Sequence, residues 1–101
     1  MIALAVAAAL APTAHAAATK NVAVRDDFFR SSSVTVRRGT TVRWVWKGKT
    51  VHNVKVARGP VKFGSSLQKT GTYSKRLTRR GTYTLVCTIH QPKMKMTIRV
   101  K

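Results

Sequence analysis

Apolar and polar residues alternate in short runs through most of the chain beyond residue 18. Alternation with a period of two predicts half-buried β-strands. The predicted strands cover residues 20–25, 34–36, 41–46, 73–77, 82–86 and 94–100. Turn residues separate them at intervals of roughly 8–12 residues, which is typical of an all-β sandwich or barrel.

Turn signals predict how these strands are connected. Residues 37–40 form a tight connection, because Gly39 takes a positive φ at little cost. Residues 47–49 predict a turn before a short strand near Val51, and residues 78–81 predict a hairpin. Residues 58–70 lack alternation and are expected to form a loop.

Aromatic residues mark the predicted core. Trp44 and Trp46 share one face of the third predicted strand with Val42. Tryptophans in a half-buried strand usually pack in the core, so we favour that interpretation over exposed stacking groups. Tyr83 is expected to be a corner tyrosine whose hydroxyl bonds to the backbone, as in other sandwiches.

The first residues differ in composition from the rest. Residues 2–11 form an apolar run too short to span a membrane, and Pro12 and the small-residue sequence 14–16 follow. This order resembles a secretory signal peptide and its cleavage site. We therefore predict a signal peptide over 1–18 and a single domain over 19–101, without a transmembrane span. The product would be exported to the periplasm, the cell surface or the medium, and His15 would belong to the cleavage region.

The charge balance excludes several kinds of chemistry. The chain has 20 lysines and arginines but only two acidic residues, which gives a net charge of +18. Asp26 and Asp27 are adjacent and are predicted to point to opposite faces of a strand, which argues against hydrolysis by paired carboxylates. Two carboxylates are also too few for a calcium or magnesium site. The charge predicts anionic partners.

Candidate chemistry is concentrated around the only cysteine, Cys87. A lone thiol in an exported protein must either pair with another chain or serve a chemical purpose. His90 and Met94 follow on the same short segment, so a thiolate, an imidazole and a thioether lie close together. Proteins hold electron-transfer copper with two histidines, a cysteine and a weak axial methionine. His52 is the candidate for the second histidine.

These residues resemble the ligand pattern of the small blue copper proteins, the cupredoxin family of plastocyanin, amicyanin and azurin. The resemblance covers roughly the last three quarters of the chain. It rests on His52 followed by Asn53, on Tyr83 four residues before Cys87, and on the Cys-x2-His-x3-Met loop. It implies a Greek-key β-sandwich that holds one copper per chain, cycling between Cu(I) and Cu(II). The implied ligands are His52, Cys87, His90 and Met94.

Two methionines are candidates for the fourth ligand. The spacing in this loop lies between the amicyanin-like x2 and the plastocyanin-like x4 between histidine and methionine. Met94 and Met96 share one face of the last predicted strand with Ile98 and Val100. In the family, the ligand methionine lies six residues before the last inward valine. Counting back from Val100 favours Met94 and makes Met96 a core residue.

The resemblance also implies a function: an exported type 1 copper protein that carries one electron between redox partners and is not an enzyme. His90 would be the electron port, with Ile89 and Pro92 supplying an apolar docking surface. Lys93 and Lys95 would flank this surface and steer acidic redox partners towards it. The protein is expected to act as a monomer. Asn53 is expected to hydrogen-bond across to the Cys87 loop and tie the two halves of the site together.

Other interpretations stay open. Zinc accepts two histidines, a cysteine and a water. A nucleophilic pair of Cys87 and His90 is conceivable, but no convincing residue orients it and Met94 would have no role. A cationic exported domain could bind an anionic cell-surface polymer without specific nucleic-acid recognition, with Trp44 and Trp46 as stacking groups. Copper buffering or delivery would use the same site for metal exchange.

Overall fold

The computed structural model describes residues 18–101, and all regular elements in this range are β-strands. The predicted signal peptide lies outside the described residues, apart from Ala18. No helix in the described range could span a lipid bilayer. The strands are β1 (Thr19–Arg25), β2 (Phe28–Arg30), β3 (Ser33–Val36), β4 (Thr41–Trp46), β5 (Lys55–Arg58), β6 (Thr72–Arg76), β7 (Gly81–Val86) and β8 (Lys95–Val100).

The strands form two four-stranded sheets with a common core. The order is β2-β1-β4-β6 in one sheet and β3-β8-β7-β5 in the other. β1 pairs in parallel with β4, and β3 with β8, whereas the other neighbours are antiparallel. The predicted all-β Greek-key sandwich is therefore confirmed.

Alternating side chains of both sheets fill the core. Trp44 is fully buried and Trp46 is 7% exposed, and the ring of Trp44 stacks on Tyr73 at a centroid distance of 5.6 Å. The core interpretation of the tryptophans is confirmed. The alternative role as exposed stacking groups is wrong, because the inward face of β4 points into the sandwich. Met96 and Ile98 contribute the facing surface from β8.

The predicted hairpin at residues 78–81 is wrong, because this segment crosses from one sheet to the other. β6 pairs with β4, while β7 pairs with β5 and β8. The tight connection at residues 37–40 is also a crossing, and the two crossings are hydrogen-bonded to each other. Gly39 N donates to Leu77 O at 2.6 Å, and Leu77 N donates to Thr40 O at 2.9 Å. Leu77 is buried, so the chain leaves the first sheet to close that end of the core.

Tyr83 stabilises the same end. Its ring is fully buried, and its hydroxyl donates a hydrogen bond to Arg79 O at 2.8 Å. The predicted corner tyrosine is confirmed, and it holds the crossing segment against β7.

The opposite end holds the candidate site residues, and two local predictions fail there. In place of a strand near Val51, His52 forms an isolated bridge with Gln68. Asp26 and Asp27 do not point to opposite faces of a strand, because they form the turn between β1 and the unpredicted β2. Asp27 has a φ of 72°, a turn conformation that aspartate tolerates better than most residues.

Candidate metal centre

His52 is held rigidly by its own backbone. Its N–H donates to Gln68 O, and its carbonyl accepts from Gln68 N, both at 3.0 Å. The same carbonyl accepts from the indole nitrogen of Trp46 at 3.1 Å. The His52 side chain is fully buried, and these bonds fix the backbone that carries it at the end of the sandwich.

The segment from Cys87 to Met94 is a compact loop closed by backbone hydrogen bonds. Cys87 N donates to Met94 O at 3.0 Å, so the first and last residues are paired across the base of the loop. Inside the loop, His90 N donates to Cys87 O and Met94 N donates to His90 O, both at 3.1 Å. The three candidate ligands of the loop are thus fixed relative to one another.

Asn53 connects the two segments of the site. Its side-chain oxygen accepts a hydrogen bond from Thr88 N at 2.8 Å and lies 3.3 Å from the Thr88 hydroxyl. Asn53 follows His52, and Thr88 follows Cys87. The hydrogen bond therefore sets the distance between the two chain segments that carry the buried candidate ligands.

Three donor atoms converge at this end of the molecule. His52 Nδ1 lies 3.2 Å from His90 Nδ1, and Cys87 Sγ lies 3.4 Å from His90 Nδ1 and 3.8 Å from His52 Nδ1. The three residues are the group in the described part of the chain whose ligand atoms are arranged to hold a metal ion. Cys87 and His52 are buried, whereas the His90 side chain is 32% exposed.

This triangle fits a copper ion in size and in chemistry. Metal bonds to histidine nitrogen and thiolate sulfur are about 2.0–2.3 Å long, so three donors around one ion lie between 3 and 4 Å apart, as observed. Thiolate and imidazole together suit both oxidation states of copper. A mononuclear copper centre is compatible with the residues present.

The two methionines have different surroundings. Both are buried, but Met96 Sδ accepts a hydrogen bond from the indole nitrogen of Trp44 at 3.4 Å, deep in the core. Met94 instead closes the loop that carries Cys87 and His90. The sulfur of Met96 is engaged with the sandwich interior, which agrees with the preference for Met94 as the fourth ligand.

Sequence reasoning missed two carboxylates at the site. Asp26 Oδ1 lies 2.9 Å from His52 Nε2, and Asp27 Oδ1 lies 3.6 Å from His90 Nε2. The hydrogen bond with His52, followed by those from Lys49 N and the Thr50 hydroxyl, holds the pKa of Asp26 well below its usual range. The parallel pairing of β1 with β4 brings the turn after β1 next to the segment after β4. No local sequence pattern indicates that pairing.

The surface around His90 contains apolar groups and lysines. Ile89 is 52% exposed, and Pro92, Lys93 and Lys95 are exposed as well. Large exposed hydrophobic residues in the described range are each adjacent in sequence to a residue of this end of the molecule: Phe28 to Asp27, Val51 to His52, Leu67 to Gln68 and Ile89 to His90.

Comparison with known proteins places this arrangement in a wider group. Residues 16–101 match a family model described as copper binding proteins of the plastocyanin/azurin family. No protein with a curated description matches the chain.

Solved structures with a similar fold include copper proteins of different sizes. The reduced Cu(I) form at pH 4 of an amicyanin variant is 26% identical, with a TM-score of 0.73 and coverage of 88% of both chains. An oxidised variant of amicyanin is 25% identical, with the same TM-score and the same coverage. A copper-containing nitrite reductase from Thermus scotoductus SA-01 is 26% identical with a TM-score of 0.74, and the match covers 82% of this chain. This chain spans only 22% of that enzyme.

Proposed function

Because the chain belongs to the plastocyanin/azurin family of copper-binding proteins, we propose that it is an exported carrier of single electrons. We assign His52, Cys87, His90 and Met94 as the ligands of one copper ion per chain. The convergence of two imidazole nitrogens and a thiol sulfur within 3.2–3.8 Å carries this proposal.

Copper bound by these residues supplies one electron reversibly, because it is stable as Cu(I) and as Cu(II). The chain's own part is to keep the ligands still. The backbone bridge fixes His52, the Cys87 N–H to Met94 O bond closes the loop, and Asn53 links the two segments. A site that does not rearrange on oxidation loses little energy to reorganisation, so electron exchange is fast.

The burial of the site favours a carrier over an enzyme. Cys87 and His52 are sealed from solvent, whereas the edge of His90 is exposed. A partner can reach this imidazole without a substrate entering the site. Ile89 and Pro92 offer an apolar contact surface there, with Lys93 and Lys95 beside it to attract an acidic redox partner.

Export and domain boundaries are part of the same proposal. The segment 1–18 has the composition of a secretory signal, and β1 begins at Thr19. The domain over 19–101 would then act as a monomer in the periplasm, at the cell surface or outside the cell.

A visible absorption spectrum tests the ligand assignment. The domain over 19–101 receives one equivalent of Cu(II), in parallel with Cys87→Ser. We expect an intense blue band from charge transfer between the thiolate and copper, which reductant bleaches and which Cys87→Ser lacks. A colourless or weakly absorbing adduct of the wild-type protein would contradict the proposal and favour zinc as the native ion.

A second candidate function, binding of an anionic polymer, is favoured by one observation. An open cleft of about 350 Å³ is lined by Arg37, Arg38, Arg80 and Lys101. The cleft lies at the end of the strands opposite the donor cluster, the metal-binding atoms of His52, Cys87 and His90. This follows because Arg37 comes after β3 and Arg80 comes before β7. Arginine forks match phosphate and sulfate groups, so a polymer of such groups would suit the cleft.

This second function has its own test. The protein is titrated with inorganic polyphosphate, and backbone amide shifts are followed by NMR. The expected result is saturable binding centred on the cleft, weakened by Arg80→Gln but not by Lys47→Gln at the other end. Equal weakening by both kinds of variant would reduce the effect to net charge alone.

A further inference from the structure

Both acidic side chains of the protein lie beside the two histidines of the candidate site. The chain has two acidic residues against 20 lysines and arginines, yet one carboxylate approaches the Nε2 atom of each histidine. Asp26 is in hydrogen-bond contact with His52 at 2.9 Å, whereas Asp27 is 3.6 Å from His90 and 76% exposed. Of the two, Asp26 makes the specific contact.

Asp26 is held in place by a dedicated pocket of donors. Its carboxylate accepts from Lys49 N and Thr50 N at 3.0 Å and from the Thr50 hydroxyl at 2.8 Å. Gly48 leaves the space for it, because a Cβ at that position would overlap Asp26 Oδ1. The loop after β4 is thus folded around this carboxylate, in addition to carrying His52.

The contact determines which nitrogen of His52 carries the proton. An ionised carboxylate accepts hydrogen bonds but cannot donate them, so His52 Nε2 must be the donor to Asp26. The Thr50 hydroxyl is 3.0 Å from the same nitrogen, but it already donates its proton to Asp26. In neutral His52, Nδ1 therefore bears the lone pair, and this lone pair faces Cys87 and His90.

We propose that Asp26 is a positioning residue for His52: it fixes the tautomer and ring orientation that present Nδ1 to copper, and it places a negative charge behind that ligand. This inference rests on the proposed function. Carboxylates that accept from a metal-binding histidine orient the ring and make it a stronger donor. A negative charge on this side favours the more positive oxidation state of the ion, so it lowers the reduction potential.

The first arm of the test uses the metal-free protein and does not depend on copper. Long-range proton–nitrogen NMR at mildly alkaline pH identifies the protonated nitrogen of His52. We expect the wild type and Asp26→Asn to carry it on Nε2, because the asparagine oxygen still accepts. Asp26→Ala should show a mixture of tautomers. Gly48→Ala tests the same contact with Asp26 itself unchanged, and it should release His52 in the same way.

The second arm separates the charge beside His52 from charge elsewhere in the same turn. Asp26→Asn and Asp27→Asn remove one negative charge each from the same turn, but only the first removes charge from the hydrogen-bonded partner of His52. We expect the potential of copper-loaded Asp26→Asn to rise clearly more than that of Asp27→Asn. Asp26→Ala should bind Cu(II) about 10–100-fold more weakly than the wild type.

The possible failures are distinguishable. An unchanged His52 tautomer in both Asp26→Ala and Gly48→Ala would overturn the positioning role, whatever colour the copper protein has. Equal potential shifts in the two asparagine variants would overturn the specific charge effect. Absence of the blue band from the copper-loaded wild-type protein would overturn the proposed function, and the tautomer result would still stand.

Discussion

At the scale of single residues, the assignment of Met94 and Met96 depends on what surrounds each sulfur. The residues are two apart on one face and are both buried, so neither burial nor periodicity separates them. The indole N–H of Trp44 does, because it donates to Met96 Sδ from within the core. The sequence offered a register argument for Met94, and the packing of Met96 agrees with it.

We therefore predict that two matched variants behave differently. Met94→Leu should shift the visible spectrum and raise the reduction potential of the copper-loaded protein, because the axial sulfur is lost. Met96→Leu should leave the spectrum unchanged but cost about 1–3 kcal/mol of stability, because the buried indole N–H of Trp44 loses its acceptor although the volume is conserved. Absorption, electrochemistry and urea unfolding of both variants check this. A spectral change confined to Met96→Leu would reverse the assignment.

Asn53 gives a second prediction at this scale. Asn53→Ala should leave Thr88 N without its side-chain acceptor, at a cost of about 0.5–1.5 kcal/mol, the usual net contribution of one hydrogen bond. The free energy of unfolding of the metal-free protein measures this loss. Asn53→Asp is the control, because its carboxylate can still accept from Thr88. An alanine variant as stable as the wild type would show that the two segments are held together without Asn53.

The contacts of the candidate site were only partly predictable from the sequence. Cys87 and His90 are three residues apart on one loop, so their proximity follows from the sequence. The contact of Asp26 with His52 spans 26 positions and depends on the parallel pairing of β1 with β4. Nothing in the residues near Asp26 indicates that pairing, so this part of the site was not predictable.

At the scale of elements, the alternation of apolar and polar residues predicted where most strands lie but not which strands pair. Alternation located β1, β3, β4, β6, β7 and β8 to within a residue or so, because each has one face in the core. The partners of the strands were not predictable in the same way. A short glycine-containing connection suits a hairpin as well as a crossing, and the strand order shows a crossing at residues 78–81.

Each crossing contains a glycine whose replacement by alanine should destabilise the protein. Gly39 and Gly81 both have positive φ values, 95° and 140°, so alanine is strained at either position. A Cβ at Gly81 would also lie 2.6 Å from the ring of Pro60, while one at Gly39 would be 3.7 Å from its nearest neighbour, Arg76. Gly81→Ala should therefore be less stable than Gly39→Ala by about 1–3 kcal/mol, the usual cost of overpacking.

Denaturant unfolding measures this difference from the two midpoints, provided that the unfolding free energies of both variants depend equally on denaturant concentration. Equal midpoints would mean that the backbone conformation alone determines the cost and that Pro60 moves aside without strain.

At the scale of the whole molecule, charge is distributed unevenly between the two ends. Asp26 and Asp27 lie beside the donor cluster, whereas the cleft at the other end is lined by Arg37, Arg38, Arg80 and Lys101. The net charge of +18 nevertheless dominates at long range, because two carboxylates cannot offset 20 cationic side chains. Approach to an anionic partner should be accelerated at low ionic strength.

Small redox probes of opposite charge test this. Oxidation of the Cu(I) protein by anionic hexacyanoferrate should slow as the Debye length falls from ~30 Å to ~8 Å between low and physiological salt. Oxidation by a cationic cobalt complex should become faster over the same range. Stopped-flow kinetics measures both rates. Salt-independent rates with both probes would show that the field of the whole molecule does not reach the site of electron transfer.

We propose that this family member carries one electron through a copper ion that it retains. A spectroelectrochemical titration of the copper-loaded domain in the presence of a copper chelator tests this proposal. We expect a one-electron curve that is identical on reduction and on reoxidation, with the blue band fully restored after each cycle. Transfer of copper to the chelator on reduction would contradict it and would make the protein a copper donor.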